Sequence, residues 1–145
     1  MKIYLASPFF NGQERPNVEK VRDILKDKKL EVFVPMEHFV EDGENMPNEI
    51  WANEVFKMDK KAIDECDVLV CLYYGLYSDS GTSWEVGYAY SKNKKIVVVH
   101  MDETKESSLM ISSCADVNLA KIEEIVTLNF KYLKNNGFFC HKEQK

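Results

Sequence analysis

The chain has 145 residues, of which 45% are hydrophobic and 30% are charged, a composition typical of one globular domain with its own core. Its formal net charge of −5 argues against a nucleic-acid polymer or an anionic membrane surface as the main partner. No apolar run reaches the length of a membrane span, and neither the cysteines nor the histidines show disulfide or metal spacing. We therefore expect a single cytoplasmic domain over residues 1–145, with the segment after about residue 135 left unassigned.

Strands and helices alternate in the first half of the chain. A short buried strand is predicted over residues 3–6 and ends at Pro8, because proline cannot continue a central ladder. The spacing of the apolar residues then predicts, in order, a helix over about 16–28, a strand over 30–34, a polar loop over 37–47 and a long helix over about 48–65.

The same alternation continues in the second half. The predicted elements are a strand over 67–74, a helix from Gly81 to about Lys92, a strand over 95–100, a loop with a helical turn over 107–115, a strand over 117–119 and a last helix over about 122–134. Strands that alternate with helices imply a parallel sheet with right-handed crossovers. We predict an α/β fold, a three-layer flavodoxin-like sandwich with a five-stranded parallel sheet.

The segment 79–91 is the clearest candidate site, because it follows a buried strand and in open α/β sheets ligands bind beyond the carboxyl ends of the strands. Glu85 is expected in the first helical turn, where the helix dipole would keep a carboxylate ionised and able to act as a nucleophile. Spacing alone explains it equally well as a capping glutamate near Thr82 or Ser83. Asp79 could accept hydrogen bonds from ligand hydroxyls, although a turn role explains it better by spacing alone.

Asp59 lies at the edge of the apolar face of the long predicted helix. Partial burial there would raise its pKa, which suits a general acid, although pairing with Lys60 or a loop amide is the simpler account of an isolated Asp. Tyr4, Phe10 and Trp51 could stack on a flat base at the mouth of the sheet, but such aromatic residues more commonly belong to the core. No Walker loop, GxGxxG or GxSxG motif supports ATP, dinucleotide or serine-hydrolase chemistry.

Three segments taken together identify a family. They are Ile3-Tyr-Leu-Ala-Ser-Pro-Phe-Phe10, Trp51 with Asp59 eight positions later, and Asp79-Ser-Gly-Thr-Ser-Trp-Glu85-Val-Gly-Tyr-Ala89. This combination resembles the nucleoside 2-deoxyribosyltransferase family over nearly the whole chain, to about residue 135. The resemblance implies an enzyme that acts on deoxynucleosides and free nucleobases in nucleoside salvage.

The resemblance also implies a role for each matching position. Glu85 would be the nucleophile that attacks C1' of the deoxyribose, and Tyr4 would hydrogen-bond Glu85 and orient it. Asp59 would protonate the leaving base and deprotonate the incoming one, while Asp79 would bind the sugar 5'-hydroxyl. The substrate-binding set would also contain Phe10, Trp51, His38, Gly81, Ser108 and Met110.

Several of these positions distinguish branches of the family. Ser108 and Met110 match a segment that a neighbouring subunit donates, which implies a homo-oligomer. Ser108 stands where many of the transferases carry Asn and resembles the deoxynucleotide N-hydrolases there. His38 and Phe39 lie where one branch has Gln, so the base preference does not carry over. Asp79 replaces the neutral Ser of the nucleotide hydrolases, and its charge would repel a 5'-phosphate.

The predicted function is transfer of 2-deoxyribose between nucleobases by a retaining ping-pong mechanism through a covalent deoxyribosyl-Glu85 intermediate. Retention at a glycosidic carbon requires a carboxylate nucleophile and an acid/base partner, and the resemblance implies no metal and no cofactor. The first alternative is an N-glycoside hydrolase of 2'-deoxynucleosides or their 5'-monophosphates. The second is a non-catalytic nucleotide-sensing module on the same fold.

Overall fold

A computed structural model of the protein describes residues 1–75, 78–102 and 107–136. Within these ranges, five strands form one parallel sheet with the order β2-β1-β3-β4-β5. The strands are β1 (Lys2–Ala6), β2 (Glu31–Phe33), β3 (Val68–Tyr73), β4 (Lys95–His100) and β5 (Val117–Leu119). The predicted α/β fold with five parallel strands is therefore confirmed.

Helices cover both faces of this sheet because successive side chains of each strand point to opposite sides. The helices are α1 (Glu14–Asp27), α2 (Asn48–Glu65), α3 (Ser80–Ser91) and α4 (Leu109–Cys114). On β1, Ile3 and Leu5 pack in the cluster that contains the apolar face of α1, whereas Tyr4 and Ala6 pack with residues of α2 and α3. In the described part of the chain, no helix is long and apolar enough to cross a membrane.

The predicted last helix over about 122–134 is wrong. The structure has only a short 3₁₀ helix, Ile122–Ile125, followed by turns. Glu124 caps the start of this short helix by accepting hydrogen bonds from the N–H groups of Ala120 (2.6 Å) and Lys121 (3.0 Å). After the helix, Asn129 accepts a hydrogen bond from the N–H of Lys131 (3.0 Å), and such a local bond competes with the helical ladder. The segment after residue 136, which the sequence left unassigned, lies outside the described residues.

The site is positioned by a reversal in strand order. Strand β2 lies on one side of β1, and β3 lies on the other. The connections that leave the carboxyl ends of the neighbouring strands β1 and β3 therefore run in opposite directions and leave an opening between them. In open α/β sheets this switch point is where ligands bind. The amide nitrogen of Asn17 on α1 donates to the hydroxyl of Tyr74 after β3 at 3.2 Å, and this bond links the two sides of the opening.

Candidate active site

A cleft of about 1000 Å³ opens at this switch point. Its walls come from the loop after β1 and the start of α1, the segment 35–45, the part of α2 from Trp51 to Asp59 and the start of α3. It brings together most of the predicted site residues: Phe10, His38, Trp51, Asp59, Asp79, Gly81 and Glu85. The volume is within the range of small-molecule sites and is ample for a nucleoside.

Glu85 lies in the wall of the cleft, but its environment differs from the prediction. Helix α3 starts at Ser80 with Asp79 as its N-cap, so Glu85 belongs to the second turn and cannot be a capping glutamate. Burial and then the negative charge of Asp59 raise its pKa to about 8, against the opposing effect of Tyr4. The expectation that the helix dipole holds this carboxylate ionised is therefore wrong, because that field is concentrated in the first turn and desolvation is stronger here.

Tyr4 is fully buried beneath the acidic wall of the cleft. Burial, followed by the charges of Glu85 and Asp59, raises the pKa of its phenol above the usual range, so the hydroxyl stays protonated and can donate. Donation from Tyr4 lowers the pKa of Glu85, which indicates that the two groups are close. Among the described residues, however, the hydroxyl has no partner in full hydrogen-bonding geometry. The orienting role of Tyr4 stays a prediction.

Asp59 on α2 completes a pair of carboxyl groups with Glu85. Burial raises its pKa to about 6, the direction expected for a residue at the edge of an apolar helix face. Lys60 pairs with Asp64 at 3.0 Å, so the alternative of a simple Asp59–Lys60 pair is not observed. Within the described ranges, Asp59 Oδ1 is buried without a hydrogen-bond partner, which leaves it available to a ligand.

Asp79 has a structural role at the start of α3. Its Oδ2 accepts hydrogen bonds from the backbone N–H of Thr82 (2.9 Å) and from the Thr82 hydroxyl (3.2 Å), so the turn interpretation is correct for the local structure. The side chain nevertheless lines the cleft. Gly81 permits this arrangement, since a Cβ at that position would lie only 2.9 Å from Asp79 Oδ2. Asp79 can therefore cap the helix with one oxygen and present the other to a ligand.

Aromatic rings also line the cleft. Phe10 is 73% exposed and Trp51 is 45% exposed, so neither is a core residue and both can stack on a flat group. The imidazole of His38 stacks on Phe33, with ring centroids 4.1 Å apart, and Phe33 stacks on Tyr4 at 5.5 Å. A row of three rings thus connects the aromatic wall with the phenol next to Glu85.

Sequence reasoning missed two residues of this environment. Phe33 could have been found, because parallel pairing places it beside Tyr4 in the register of β1 and β2. Arg15 gave no signal, yet it contributes the one guanidinium or ammonium group among the described residues that line the cleft, against five carboxylates. Its guanidinium lies 5.8 Å from the Phe9 ring centroid. No His, Cys, Asp and Glu group in the described ranges is arranged to hold a metal ion.

Ser108 and Met110 do not line the cleft of their own chain. Ser108 is the N-cap of α4, where its hydroxyl accepts a hydrogen bond from the N–H of Met110 at 3.3 Å. The Met110 side chain is 71% exposed. Helices α2, α3 and α4 form one layer, since α3 packs against both of the others. Met110 lies on the outer surface of this α2–α3–α4 layer, whereas Ser108 is half-buried and its N–H donates to the Tyr73 hydroxyl at 3.2 Å. Their contribution to a site in a neighbouring subunit stays a prediction.

Comparison with known proteins identifies the class. The nucleoside 2-deoxyribosyltransferase family model matches residues 3–135, and the chain therefore belongs to this family of pentosyltransferases, as the sequence predicted. A nucleoside deoxyribosyltransferase of Lactobacillus leichmannii is 24% identical over 140 residues, which cover 88% of each chain. Because this family consists of enzymes, the alternative of a non-catalytic sensing module has no support.

Two further relatives carry the names of different activities, a transferase and a hydrolase. The solved structure of a 2-deoxyribosyltransferase from the psychrotolerant bacterium Bacillus psychrosaccharolyticus superposes with a TM-score of 0.87 at 30% identity, covering 95% of this chain and 99% of that one. A candidate 2'-deoxynucleoside 5'-phosphate N-hydrolase of Thermofilum pendens is 28% identical over 108 residues, 74% of this chain and 73% of that protein. Deoxyribosyl transfer and N-glycoside hydrolysis both occur among the names of these relatives.

Proposed function

We propose that the protein transfers 2-deoxyribose between nucleobases through a covalent deoxyribosyl-Glu85 intermediate. The observation that carries this proposal is the pair of partly buried carboxyl groups, Glu85 and Asp59, that line one nucleoside-sized cleft. A retaining reaction at a glycosidic carbon requires such a pair, one group acting as nucleophile and the other as acid and base.

In the first half-reaction, the ionised Glu85 attacks C1' while the proton of Asp59 passes to the leaving base. The bond from C1' to the base nitrogen breaks, and an ester bond from C1' to Glu85 forms. In the second half-reaction, Asp59 takes the proton of an incoming base, whose nitrogen attacks C1' and releases Glu85. Donation from Tyr4 would favour the ionised Glu85 and hold its orientation.

The remaining side chains of the cleft would hold the nucleoside. The Asp79 oxygen that does not cap α3 accepts a hydrogen bond from the 5'-hydroxyl, with Gly81 leaving space for the carboxylate. Phe10 and Trp51 stack on the base, and His38 faces its edge from the ring row.

We also propose a cytoplasmic homo-oligomer whose sites are completed by Ser108 and Met110 of a neighbouring chain. The exposure of Met110 and its place on the outer surface of the α2–α3–α4 layer support this arrangement. The cysteines in the described part of the chain, Cys66, Cys71 and Cys114, are free thiols, which suits a reducing compartment.

The second candidate function is hydrolysis of 2'-deoxynucleosides or their 5'-monophosphates. Ser108 and the relative in Thermofilum pendens favour it. The acidic cleft opposes the phosphorylated substrates. Even when Glu85 and Asp59 share one proton, the remaining negative charges outnumber the one guanidinium of Arg15 and would repel a phosphate at close range. We therefore favour a nucleoside with a free 5'-hydroxyl.

Incubation with a deoxynucleoside, with and without a second free base, separates these functions. We expect a new deoxynucleoside only when the second base is present, resolved by chromatography. Free deoxyribose produced at the same rate with and without acceptor would establish the hydrolase instead. Turnover of a deoxynucleoside 5'-monophosphate in preference to the nucleoside would contradict the role given to Asp79.

A further inference from the structure

Gly43 lies where the loop over 40–46 meets the indole of Trp51. It begins a 3₁₀ turn, Gly43–Asn45, and both Gly43 and Trp51 line the cleft. A Cβ at position 43 would lie 2.9 Å from Trp51 Cδ1, 3.3 Å from Trp51 Nε1 and 3.6 Å from the Cβ of Val40. A carbon–carbon distance of 2.9 Å is well inside van der Waals contact, so any side chain at position 43 would displace the indole.

The backbone conformation at position 43 does not require a glycine. The left-handed conformation at this loop is taken by the preceding residue, Asp42, with φ of 56°, whereas Gly43 has no positive φ. The loop is tied by hydrogen bonds from Gly43 N–H to the carbonyl of Val40 (3.1 Å) and from the Asn45 side chain to Asp42 Oδ1 (2.6 Å). Alanine would therefore suit the backbone at position 43, and the contact with Trp51 is what excludes it.

Core packing does not hold the indole in place. Trp51 lies in the first turn of α2, and 45% of its surface is exposed, so the helix fixes its backbone while its ring can still turn. The edge of the ring that carries Cδ1 and Nε1 rests against the backbone at Gly43. The loop backbone at Gly43 consequently limits how far the ring can lie from the centre of the cleft.

We propose that Gly43 is a positioning residue that sets the place of the Trp51 indole and thereby determines which bases the cleft accepts. This inference rests on the proposed function, in which the base stacks on Trp51. A side chain at position 43 would move this limit toward the centre of the cleft, displace the ring and alter the stacking surface. A bicyclic purine covers more of the indole than a single-ring pyrimidine, so purine nucleosides should lose more affinity.

Steady-state kinetics of Gly43→Ala test the proposal, with Gly12→Ala as the matched control because a Cβ at Gly12 meets no atom within 4 Å. We expect KM for a purine deoxynucleoside to rise by about tenfold and KM for a pyrimidine deoxynucleoside by less, with kcat changed by less than about twofold, since Glu85 and Asp59 are untouched. Gly12→Ala should leave both constants unchanged. An equal loss of kcat for both substrates would overturn the positioning role.

A double-mutant cycle with Trp51→Phe isolates the contact. The smaller phenyl ring leaves space for a side chain at position 43, so Gly43→Ala should have almost no effect on KM in the Trp51→Phe background. The double variant carries no clash. If Gly43→Ala alone folds poorly, KM of the double variant is therefore compared with KM of Trp51→Phe. Additive effects of the two substitutions would contradict the proposal.

A spectroscopic readout keeps this test separate from the proposed function. The chain has two tryptophans, so in a Trp84→Phe background the emission reports Trp51 alone. Gly43→Ala should shift the emission maximum and change quenching by acrylamide, whereas Gly12→Ala should not. Unchanged emission would refute the positioning role even in an active enzyme. An inactive wild type with the expected shift would instead refute the proposed function and keep the role of Gly43 for the indole.

Discussion

Two carboxyl groups in the cleft, those of Glu85 and Asp59, titrate as a pair. Burial is the largest cause of the raised pKa of each, and the charge of Asp59 adds to that of Glu85. Such a pair loses its protons in two apparent steps, here at about 6 and about 8. Between these values the pair holds a single proton, which the higher pKa of Glu85 places mainly on Glu85. The reaction requires the minor arrangement, in which the proton is on Asp59 and Glu85 is ionised, and donation from Tyr4 to Glu85 favours that arrangement.

We therefore expect a bell-shaped pH profile for kcat/KM with its maximum between these two values. Below the lower value both groups are protonated and no nucleophile exists, and above the upper value both are ionised and no acid exists. Initial rates of base exchange across the range measure the profile. Activity that stays constant from about pH 5 to about pH 9 would show that the pair does not control the reaction.

Glu85 should also make the native state sensitive to pH. Its pKa is raised from 4.5 in the unfolded chain to about 8, so folding favours the protonated form, and stability is lost as the pH rises through this interval. Glu85→Gln removes the ionisation. We expect the variant to exceed the wild type by roughly 2–4 kcal/mol in free energy of unfolding at about pH 9 and to match it near about pH 4.

Urea unfolding at the two pH values measures this difference. The matched control is Glu19→Gln, which removes a carboxyl group from the exposed surface of α1 and should leave the pH dependence of stability unchanged. An equal gain at both pH values would mean that the substitution acts through packing and not through ionisation. The Glu85→Gln variant should be inactive in base exchange at every pH.

At the scale of elements, the start of α3 joins helix capping to ligand binding through the Asp79 carboxylate. We expect Gly81→Ala to displace this carboxylate, because the added Cβ would lie 2.9 Å from Oδ2. The loss of the cap should cost about 1 kcal/mol, and KM for the deoxynucleoside should rise. Thermal or urea unfolding and initial rates on one preparation measure both effects.

Gly87→Ala is the control within the same helix. A Cβ there meets no atom within 4 Å, so alanine should stabilise the helix by about 0.5–1 kcal/mol and leave KM unchanged. If Gly81→Ala were as stabilising as Gly87→Ala, the Asp79 carboxylate would not be constrained by the missing side chain.

Elements with a strong pattern could be predicted from the sequence, and elements decided by local side-chain bonds could not. The bounds predicted for α2, β4 and β5 match the structure, because helical spacing and continuous apolar runs marked them. The segment 122–134 also has apolar residues at helical spacing, and Glu124 caps the start of its 3₁₀ helix, yet the helix ends after one turn and Asn129 bonds the backbone N–H of Lys131 in the turn that follows.

The site shows the same division. Asp59, Asp79 and Glu85 could be placed in one cleft because parallel strands bring their carboxyl ends to one edge of the sheet. The elevated pKa of Glu85 could not be predicted, since it depends on how deeply the second turn of α3 is buried. The role proposed for Gly43 could not be predicted from the sequence either, because its close approach to Trp51 exists only in the folded chain.

At the scale of the whole molecule, the outer surface of the α2–α3–α4 layer carries a group of exposed apolar side chains. Phe56 on α2 and Trp84 on α3 are each about half exposed, with ring centroids 5.3 Å apart, and Leu109 and Met110 extend from α4. Beneath Phe56 and Trp84 lies a pocket of about 290 Å³ that Asp59 and Glu85 also line. A second chain seated on this surface would close the approach to the two carboxyl groups from that side and limit access of water.

Complementation between inactive subunits tests whether the active site is shared. Glu85→Ala removes the nucleophile, and Met110→Glu places a charge on the segment proposed to enter the neighbour. When the two variants are co-expressed with different tags and purified on both, one of the two sites in each mixed pair combines an intact Glu85 with an intact Met110. We expect about half of the wild-type base-exchange activity in such pairs, although each variant alone is inactive.

The control combines Glu85→Ala with Asp59→Asn. Both groups line the same cleft of one chain, so every site in the mixed assembly carries one of the two defects and activity should stay absent. Restored activity in the first mixture but not in this control would establish that Met110 acts across the subunit boundary. Absence of activity in both mixtures, with mixed assemblies demonstrated by their retention of both tags, would mean that each chain forms its site alone. The apolar surface of the α2–α3–α4 layer would then require a different explanation.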